Sequence, residues 1–535
     1  MSEVNTTTAA NMRLPVVRTA PIGGGVFSMA LQSGMAPEGL MAHHPRNVAE
    51  WKRAAKQVQS SHANHDWLTP LSSAFAATGE AALRLNRAAA NGIVVTTGQQ
   101  PGLFGGPAYT WSKAIAALAL ADELEQQLGI PVAPVFWAAT DDADWAEAAV
   151  THVVGPNGLE TLSLLGPATD GIAMAEVQLG DMQHALSRLR AASGSAAHVD
   201  VLDLVEASYV PHATIGASYV QLLRGILEPF GIAVLDASHP ALRLAADPLL
   251  RRALASAASV DEALRSRTAS IRAAGFEPQV DDMAGLSLVF RTSRTDRGNT
   301  RERVPVSNAS RVAREAEPGT LGPNVLLRPV VERALLPTVA YLAGPGEFAY
   351  FAQVSPIALA LGVDIPVAVP RWSGNVIEPH IVDILKRLNV DESAFDDPHR
   401  VETSLARNAL DESVADAFER VRITTETQLR ALQVAIDAAD SVVAPSVIDG
   451  IQRDIAHRLN RLERRLVAGV KRRENALMRD IAVARAAIKP LNKSPERMLN
   501  FVPALARYGP SLLELMREHA RVHANALVAG VSSSS

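Results

Sequence analysis

The chain has 535 residues, 48% of them hydrophobic, a net charge of -5 and no cysteine. That length exceeds a single hydrophobic core and predicts two or three domains, and the small net charge supplies no field to gather nucleic acid or acidic lipid. The absence of cysteine excludes disulfides, thiolate-bound zinc, iron–sulfur clusters and a cysteine nucleophile, and it fits a reducing cytoplasm.

The first residues, "MSEVNTTTAANMRLP", lack the apolar centre of a signal peptide. No apolar run reaches the ~18 residues of a membrane span, and the tail "VSSSS" is expected to fray. Asn91-Gly92 marks a turn, after which "IVVTT" reads as a short buried strand. From Tyr109 to Leu128 apolar residues recur at helical spacing, and Gly129 with Pro131 ends the helix. "VAPVFWAA" is the next strand, so the segment is a βαβ unit with parallel strands and a right-handed crossover. "GIAVLDASHP" (Gly231–Pro240), "TVAYLAGPGE" (Thr338–Glu347) and "IPVAVPRWS" (Ile365–Ser373) repeat the pattern. The fold class is α/β with an open, doubly wound parallel sheet.

Two stretches do not fit the sheet. Ala168–Val210 is alanine-rich and helical in pattern, and Phe276–Val306 reads as a hairpin or small sheet. The predicted division is therefore 1–155 first part of the core, 156–221 helical insertion, 222–262 core, 263–310 second insertion, 311–385 last part of the core, and 386–535 helical domain. Within the last, Ser413–Ile488 is helical with one interruption near "VVAPSV". Ile448, Ile451, Ile455, Leu459, Leu462, Leu466, Val470, Leu477 and Ile481 step mostly by three and four until Pro490. One long helix packed on its own domain would give such a stripe. A coiled coil is preferred because the other faces are charged. The apolar residues of "MLNFVPALARYGPSLLELM" must dock, and the core is the expected place.

In an open parallel sheet, ligands bind beyond the carboxyl ends of the strands. That rule selects Thr97, Gly98, Gln99 and Gln100, then Asp141, Asp142, Asp144 and Glu147, then Asp236, then Gly344, Pro345, Gly346 and Glu347, then Arg371 and Ser373. The loop "TGQQPGLFGGPAYTWSKA" is neither a dinucleotide fingerprint nor a P-loop. Its glycines, Gly102 and Gly106 among them, let backbone N–H groups approach a ligand. Its glutamines suit a polar group or a carboxylate. The start of the Tyr109 helix could stabilise an anion, and Lys113 lies one turn in. The competing reading is a tight turn capped by the glutamines. "TDDADWAEA" packs four carboxylates into nine residues. It could bind magnesium, an ammonium or sugar hydroxyls, or act as a base. It could also be an acidic helix start with Asp141 or Asp142 as the N-cap. "AGPGEFAYFAQ" is a turn into a helix with Glu347 in the first turn. "HANH" (His62–His65) has metal-pair spacing but no third ligand nearby and reads as surface. The basic residues from Arg458 to Arg473 could meet RNA or phosphate, but interspersed glutamates favour a solvated face.

These residues resemble the BshC family, the cysteine ligases of bacillithiol biosynthesis. The resemblance rests on "TGQQPGLFGGPAYTWSKA", "PVFWAATDDADWAE", "GIAVLDASHPALR", "NVLLRPVVERALLPTVAYLAGPGEFAYFAQ", "PVAVPRWS", "LERRLVAGVKRRENAL" and "ERMLNFVPALARYGP", in that order from about Val94 to Pro510. It implies a Rossmann-like core with connecting insertions and a C-terminal coiled coil that forms a homodimer. It also implies a cytoplasmic ligase that joins the carboxyl of L-cysteine to the amine of glucosaminyl malate, forming an amide bond. Likeness of the core to class I aminoacyl-tRNA synthetases implies a cysteinyl adenylate, with ATP and magnesium as co-reactants and no tightly bound cofactor. The two signature motifs of those synthetases are absent. One departure stands out: the family's Glu-Asp-His-Asp is Asp141-Asp142-Ala143-Asp144 here, so no imidazole can act at 143.

On this reading Asp142, Asp144 and Glu147 carry the chemistry. Thr97, Gly98, Gln99, Gln100, Gly102, Gly106, Tyr109, Lys113, Gly344, Gly346, Glu347 and Arg371 bind substrate. No resident metal, nucleic acid or membrane partner is expected. The alternatives are a ligase for a different amine or acid, and a non-catalytic dimeric scaffold.

Overall fold

The computed structural model describes residues 13–530 apart from 64, 165–170, 282, 296–297 and 440–443. The amino-terminal segment, the serine tail, the start of the first insertion and the first residues of "VVAPSV" read above lie outside the described residues. The described chain divides into two compact units, one formed by residues up to Val153, Glu160–Glu378 and the segment from Ser494 onward, the other by Val154–Leu159 and Pro379–Lys493.

The first unit is built on five parallel strands: β1 (Ile93–Gln99), β2 (Val132–Ala138), β3 (Ala233–Asp236), β4 (Thr338–Ala343) and β5 (Ala368–Pro370). Their order is β5-β4-β1-β2-β3. The chain steps outward from β1 to β3 on one side, then returns to lay β4 on the other side of β1. The crevice beyond β1 and β4 is thus the topological switch point, where such sheets bind ligands. The strands are short apolar runs rich in valine, and all of β2 is buried, as expected of a sheet covered on both faces.

β1 runs two residues past "IVVTT", because Gly98 and Gln99 continue the ladder opposite Trp137 and Ala138. The apolar signal stops at Thr97, but the ladder is backbone and does not need it. Gly98 is required at this step, since a Cβ there would lie 2.7 Å from the Trp137 carbonyl oxygen. Helix α1 (Ala108–Leu128) returns the chain to β2 and ends at Gly129, whose φ of 70° supplies a left-handed cap. Residues Thr110–Ala121 are buried all round. The sheet lies on one side of α1 and helix Pro510–Ala529 packs on another, so the C-terminal segment belongs to this core. The second insertion is a hairpin, Leu286–Thr295 with Gly298–Pro305, extended by the short strand Leu321–Pro323. The doubly wound α/β reading therefore holds, with helices Gln183–Ser193 and Val199–Ser208 in the first insertion.

The second unit is helical. Helices Glu412–Ala438 and Pro445–Arg473 pack together, and Glu463 on the latter pairs with Arg422 at 3.0 Å. Ile448, Val467 and Val470 are buried, whereas Ile451 and Leu462 are exposed. The helical run breaks a second time at Glu474, whose non-helical backbone caps one helix and starts the next, Asn475–Ile488. No proline or glycine marks this break, so periodicity alone runs through it.

The surface reading of "HANH" is corrected for its first residue. His62 continues the buried stripe Trp51, Ala55, Val58 of helix Val48–His62 and is half-buried, while His65 is exposed. Its Nδ1 lies 3.5 Å from Arg333, which pairs with Asp364 at 2.7 Å. Burial first, then Arg333, lowers the His62 pKa from 6.5 to about 4. Between those values the unfolded chain binds a proton that the fold refuses. The stabilising contribution is therefore complete above about pH 6.5 and is lost as the pH falls toward 4. Urea midpoints at pH 7 and pH 5 should lie closer together in His62→Gln than in the wild type.

Candidate active site

A cavity of about 610 Å³ opens beyond the carboxyl ends of the strands. Its floor spans the β1/β4 crevice. Lys113 projects from α1 and is buried there. Its Nζ donates to the Gly98 carbonyl at 2.7 Å and to Gln99 Oε1 at 2.9 Å, and pairs with Glu347 Oε2 at 2.5 Å. Glu347 lies in the first turn of α2 (Pro345–Ala360). It accepts from the Gly344 N–H at 2.7 Å and from the Tyr341 hydroxyl at 2.5 Å. Burial raises its pKa, but Lys113 and these donors outweigh burial and hold the carboxyl below its ordinary value. Gly344 is tight, since a Cβ would sit 3.1 Å from Glu347 Oε2 and 3.6 Å from Lys113 Cε. Gly346 lines the cavity without such crowding.

A second group joins β1 to the loop after β2. Glu147 accepts from Tyr109 at 2.8 Å, from Gln100 at 2.6 Å and from Gln99 at 3.4 Å. Gln99 also donates to the Tyr109 hydroxyl at 3.0 Å. Its amide is thus fixed between a cation and an anion, oxygen toward Lys113 and nitrogen toward Glu147. Burial, then Glu147, pushes the Tyr109 phenol well above its ordinary range, which keeps it a donor. With three donors, Glu147 organises the two glutamines and the tyrosine. It does not itself line the cavity.

The acidic stretch separates into distinct roles. Asp142 lines the cavity, and burial, then Asp141, raises its pKa above the usual aspartate value. Asp144 does not reach the cavity: it is the N-cap of the short helix Trp145–Ala148 and accepts from the Glu147 N–H at 3.1 Å. The cap is therefore Asp144, not Asp141 or Asp142. Asp141 is held by Arg301 of the hairpin insertion at 3.5 Å. Asp236 accepts from Thr140 and from the Ser238 N–H, which secures the end of β3.

Three expected binding residues, Thr97 from the strand-end rule and Gly102 and Gly106 from the loop, belong instead to the scaffold. Thr97 is inside β1, buried, with its hydroxyl donating to the Leu342 carbonyl at 2.9 Å. Gly102 and Gly106 face each other, since a Cβ on Gly102 would lie 2.6 Å from Gly106 Cα. The turn between them has Phe104 at φ 53°. Asn500 ties it down with bonds to the carbonyls of Leu103, Phe104 and Gly106 at 3.0, 3.1 and 3.4 Å. The start of α1 is not open to an anion either, because the Ala108 N–H is taken by the Leu499 carbonyl at 2.9 Å. Arg371 lines the cavity but is buried and committed to Glu496, at 2.7 and 3.2 Å.

The rule overlooked residues that do not follow a strand. Arg328, at the start of helix Arg328–Leu335, pairs with Glu332 at 2.8 Å and stands 4.9 Å over the Tyr341 ring. Its only sequence signal is its place in "NVLLRPVVERALLP". Arg301 and Arg303 come from the hairpin and lie 4.7 and 5.4 Å from the Phe290 ring centroid. Among the described residues no group of three His, Asp or Glu is placed to hold a metal ion. No helix there is long and apolar enough to cross a membrane.

Comparison with known proteins agrees with this fold. Residues 38–372 match the model of the Bacillithiol biosynthesis BshC N-terminal Rossmann-like domain, and residues 375–526 match that of the BshC C-terminal coiled-coil domain. A relative from Solibacter usitatus (strain Ellin6076), named "Putative cysteine ligase BshC", is 32% identical over 444 residues, 80% of this chain and 82% of its own. Relatives of the same name from Koribacter versatilis (strain Ellin345) and Bacillus cereus (strain B4264) are 31% and 25% identical. They cover 83% and 80% of this chain and 85% and 82% of theirs. The chain, with its Rossmann-like sheet and its coiled-coil unit, belongs to the BshC family.

Proposed function

We propose that this protein is a cysteine ligase of bacillithiol biosynthesis that joins the carboxyl of L-cysteine to the amine of glucosaminyl malate. The observation that carries the reading is one cavity that combines a proton-accepting carboxylate with several guanidinium groups, which suits a substrate bearing both an amine and acid groups. As the C–N bond forms, the amine must lose a proton, and Asp142, with its raised pKa, is the acceptor in reach of the cavity. Gln99, Gln100 and Tyr109, oriented by Glu147, supply hydrogen bonds to hydroxyl and carboxyl oxygens. The Lys113–Glu347 pair holds the crevice at its working width.

Activation of the cysteine carboxyl is assigned to ATP. Attack of the carboxylate on the α-phosphorus would release pyrophosphate, and attack of the amine on the resulting mixed anhydride would release AMP. Magnesium would arrive on the nucleotide's phosphates, and Asp141 and Asp142 are the aspartates on the cavity wall that could meet it. The test is a mass-spectrometric assay with L-cysteine, glucosaminyl malate, ATP and magnesium, each omitted in turn. An amide product that needs all four supports the full reading. Product without ATP keeps the ligase and rejects adenylation. No product overturns this acceptor.

Ala143 favours a second reading. It lines the cavity, and the family motif it resembles has a histidine at that step, so a related ligase with another amine or acid substrate would find more room here. A substrate panel run alongside Ala143→His separates the two. The charged cavity argues for an enzyme over a scaffold. The proposal includes a cytoplasmic homodimer through the helical unit, where Val421, Ile423, Leu432, Val434, Val447 and Ile451 are exposed. Sedimentation of the full chain checks that state.

A further inference from the structure

The cations around the cavity are of two kinds. Four are neutralised by a carboxylate: Lys113 by Glu347 at 2.5 Å, Arg301 by Asp141 at 3.5 Å, Arg328 by Glu332 at 2.8 Å and Arg371 by Glu496 at 2.7 Å. Among the described residues, no carboxylate lies within ion-pair distance of the other three, Arg243, Arg303 and Arg497. Arg497 is exposed on the floor side, near Tyr109. Arg243, on helix Pro240–Ala255, and Arg303, on the hairpin strand Gly298–Pro305, belong to the opposite wall.

Beside them that wall carries Leu242, Ala246, Leu250, Leu321 and Phe290, with Thr292, Asn324 and the paired Arg301 as its other polar groups. Arg303 is half-buried against the Phe290 ring, 5.4 Å from its centroid, and burial lowers its pKa. A guanidinium removed from water without a counter-charge is costly. An arginine fork relieves that cost by taking a carboxylate through two parallel hydrogen bonds. The acidic residues that face the cavity are Asp141 and Asp142, after β2, and Glu347, at the start of α2; Asp141 and Glu347 are already paired with Arg301 and Lys113. The surplus positive charge of the lining therefore lies on Arg243, Arg303 and Arg497, and Asp142 is the lining carboxylate left without an ion-pair partner among the described residues.

We propose that Arg243 and Arg303 form the subsite for the dicarboxylate end of the acceptor, so that this wall orients the acceptor with its amine toward Asp142. This rests on the ligase reading above and adds a division of labour to it: the strand ends position the reacting atoms, and the wall built from helix Pro240–Ala255 and the hairpin selects acceptors that carry acid groups. Activity on amines without an acid group should be poor because their approach is not oriented.

The experiment uses the full-length chain and Arg243→Gln/Arg303→Gln, with Arg243→Gln alone as the variant least exposed to folding loss because it leaves the hairpin intact. Titration calorimetry with L-malate alone should show saturable binding to the wild type and none to the double variant. In steady state, preference for glucosaminyl malate over methyl glucosaminide, as a ratio of kcat/KM, should fall by about 100-fold, mostly through KM, since two charge-assisted contacts are lost. Arg243→Lys/Arg303→Lys should restore part of the preference. L-malate bound equally by wild type and double variant overturns the proposal. So does a rise in KM for ATP with acceptor preference unchanged, because the wall would then hold the nucleotide. Malate binding that disappears in the variant of a protein that makes no amide product sustains the subsite and rejects the ligase.

Discussion

Replacing Lys113 with methionine is expected to cost about 3–5 kcal/mol of stability, the usual penalty for stripping one partner from a buried ion pair, and to lower kcat/KM by about 100-fold. The stability loss follows from what remains. Glu347 would keep its place among Tyr341 and the Gly344 N–H, largely buried, without its counter-charge. The activity loss follows from geometry. Lys113 bonds both to β1, through the Gly98 carbonyl and the Gln99 amide, and to the first turn of α2. Without it the two sides of the crevice can separate, and displacement of reacting groups by about an ångström costs that much. The double variant Lys113→Met/Glu347→Gln removes the orphan charge, so much of the stability should return while activity does not. The pair also predicts a pH effect. Because the folded-state pKa of Glu347 is depressed from 4.5, its contribution is present above that pH and fades as pH falls through the lower folded value. Thermal melts at pH 7 and pH 4 of wild type and Lys113→Met read both effects. Equal melting temperatures and equal kcat/KM in the two proteins would remove Lys113 from the site.

Asp142→Asn should lower kcat by about 10²- to 10⁴-fold, the usual contribution of a positioned general base, with little change in stability. Asparagine keeps the shape and can still accept the Asp144 N–H bond of 3.1 Å, but it cannot take a proton. The wild-type rate should fall on acidification along a limb set above the ordinary aspartate range, because burial and Asp141 raise this carboxyl. That limb should vanish in the variant. Asp144→Ala supplies the contrast. It removes an N-cap from a four-residue helix and should cost about 1 kcal/mol while sparing most of the activity. If Asp144→Ala abolished turnover and Asp142→Asn did not, the two assignments would have to be exchanged.

Much of the site was legible because an open parallel sheet brings its strand ends together. Gly98, Gln99, Gln100, Asp142, Gly344, Gly346, Glu347 and Arg371 were selected by position alone, and all line one cavity. The rule failed where a residue's neighbour comes from far along the chain. Thr97 and Gly102 looked like site residues until β4 was seen to take the Thr97 hydroxyl and Gly106 to crowd Gly102 in a turn tied down by Asn500. Asp144 looked catalytic because a carboxylate at a strand end and a carboxylate at a helix start are the same letters. Arg301, Arg303 and Arg328 went unnoticed because arginines in an insertion or on a helix face are common and usually solvated.

By itself, the sequence determined the α/β order of elements, the helical carboxy-terminal domain, the absence of a cysteine nucleophile and the set of strand-end motifs that mark the family. Each of these depends on local spacing or on composition, which a linear reading contains. Only the tertiary structure decided which charges are spent on one another and which remain. Lys113 is bound to Glu347, Arg371 to Glu496 and Arg328 to Glu332, while Arg243 and Arg303 have no carboxylate partner among the described residues. Ion pairing falls off within a few ångströms, and those distances are set by how β1, β4, the insertion and the C-terminal segment pack, not by separation along the chain.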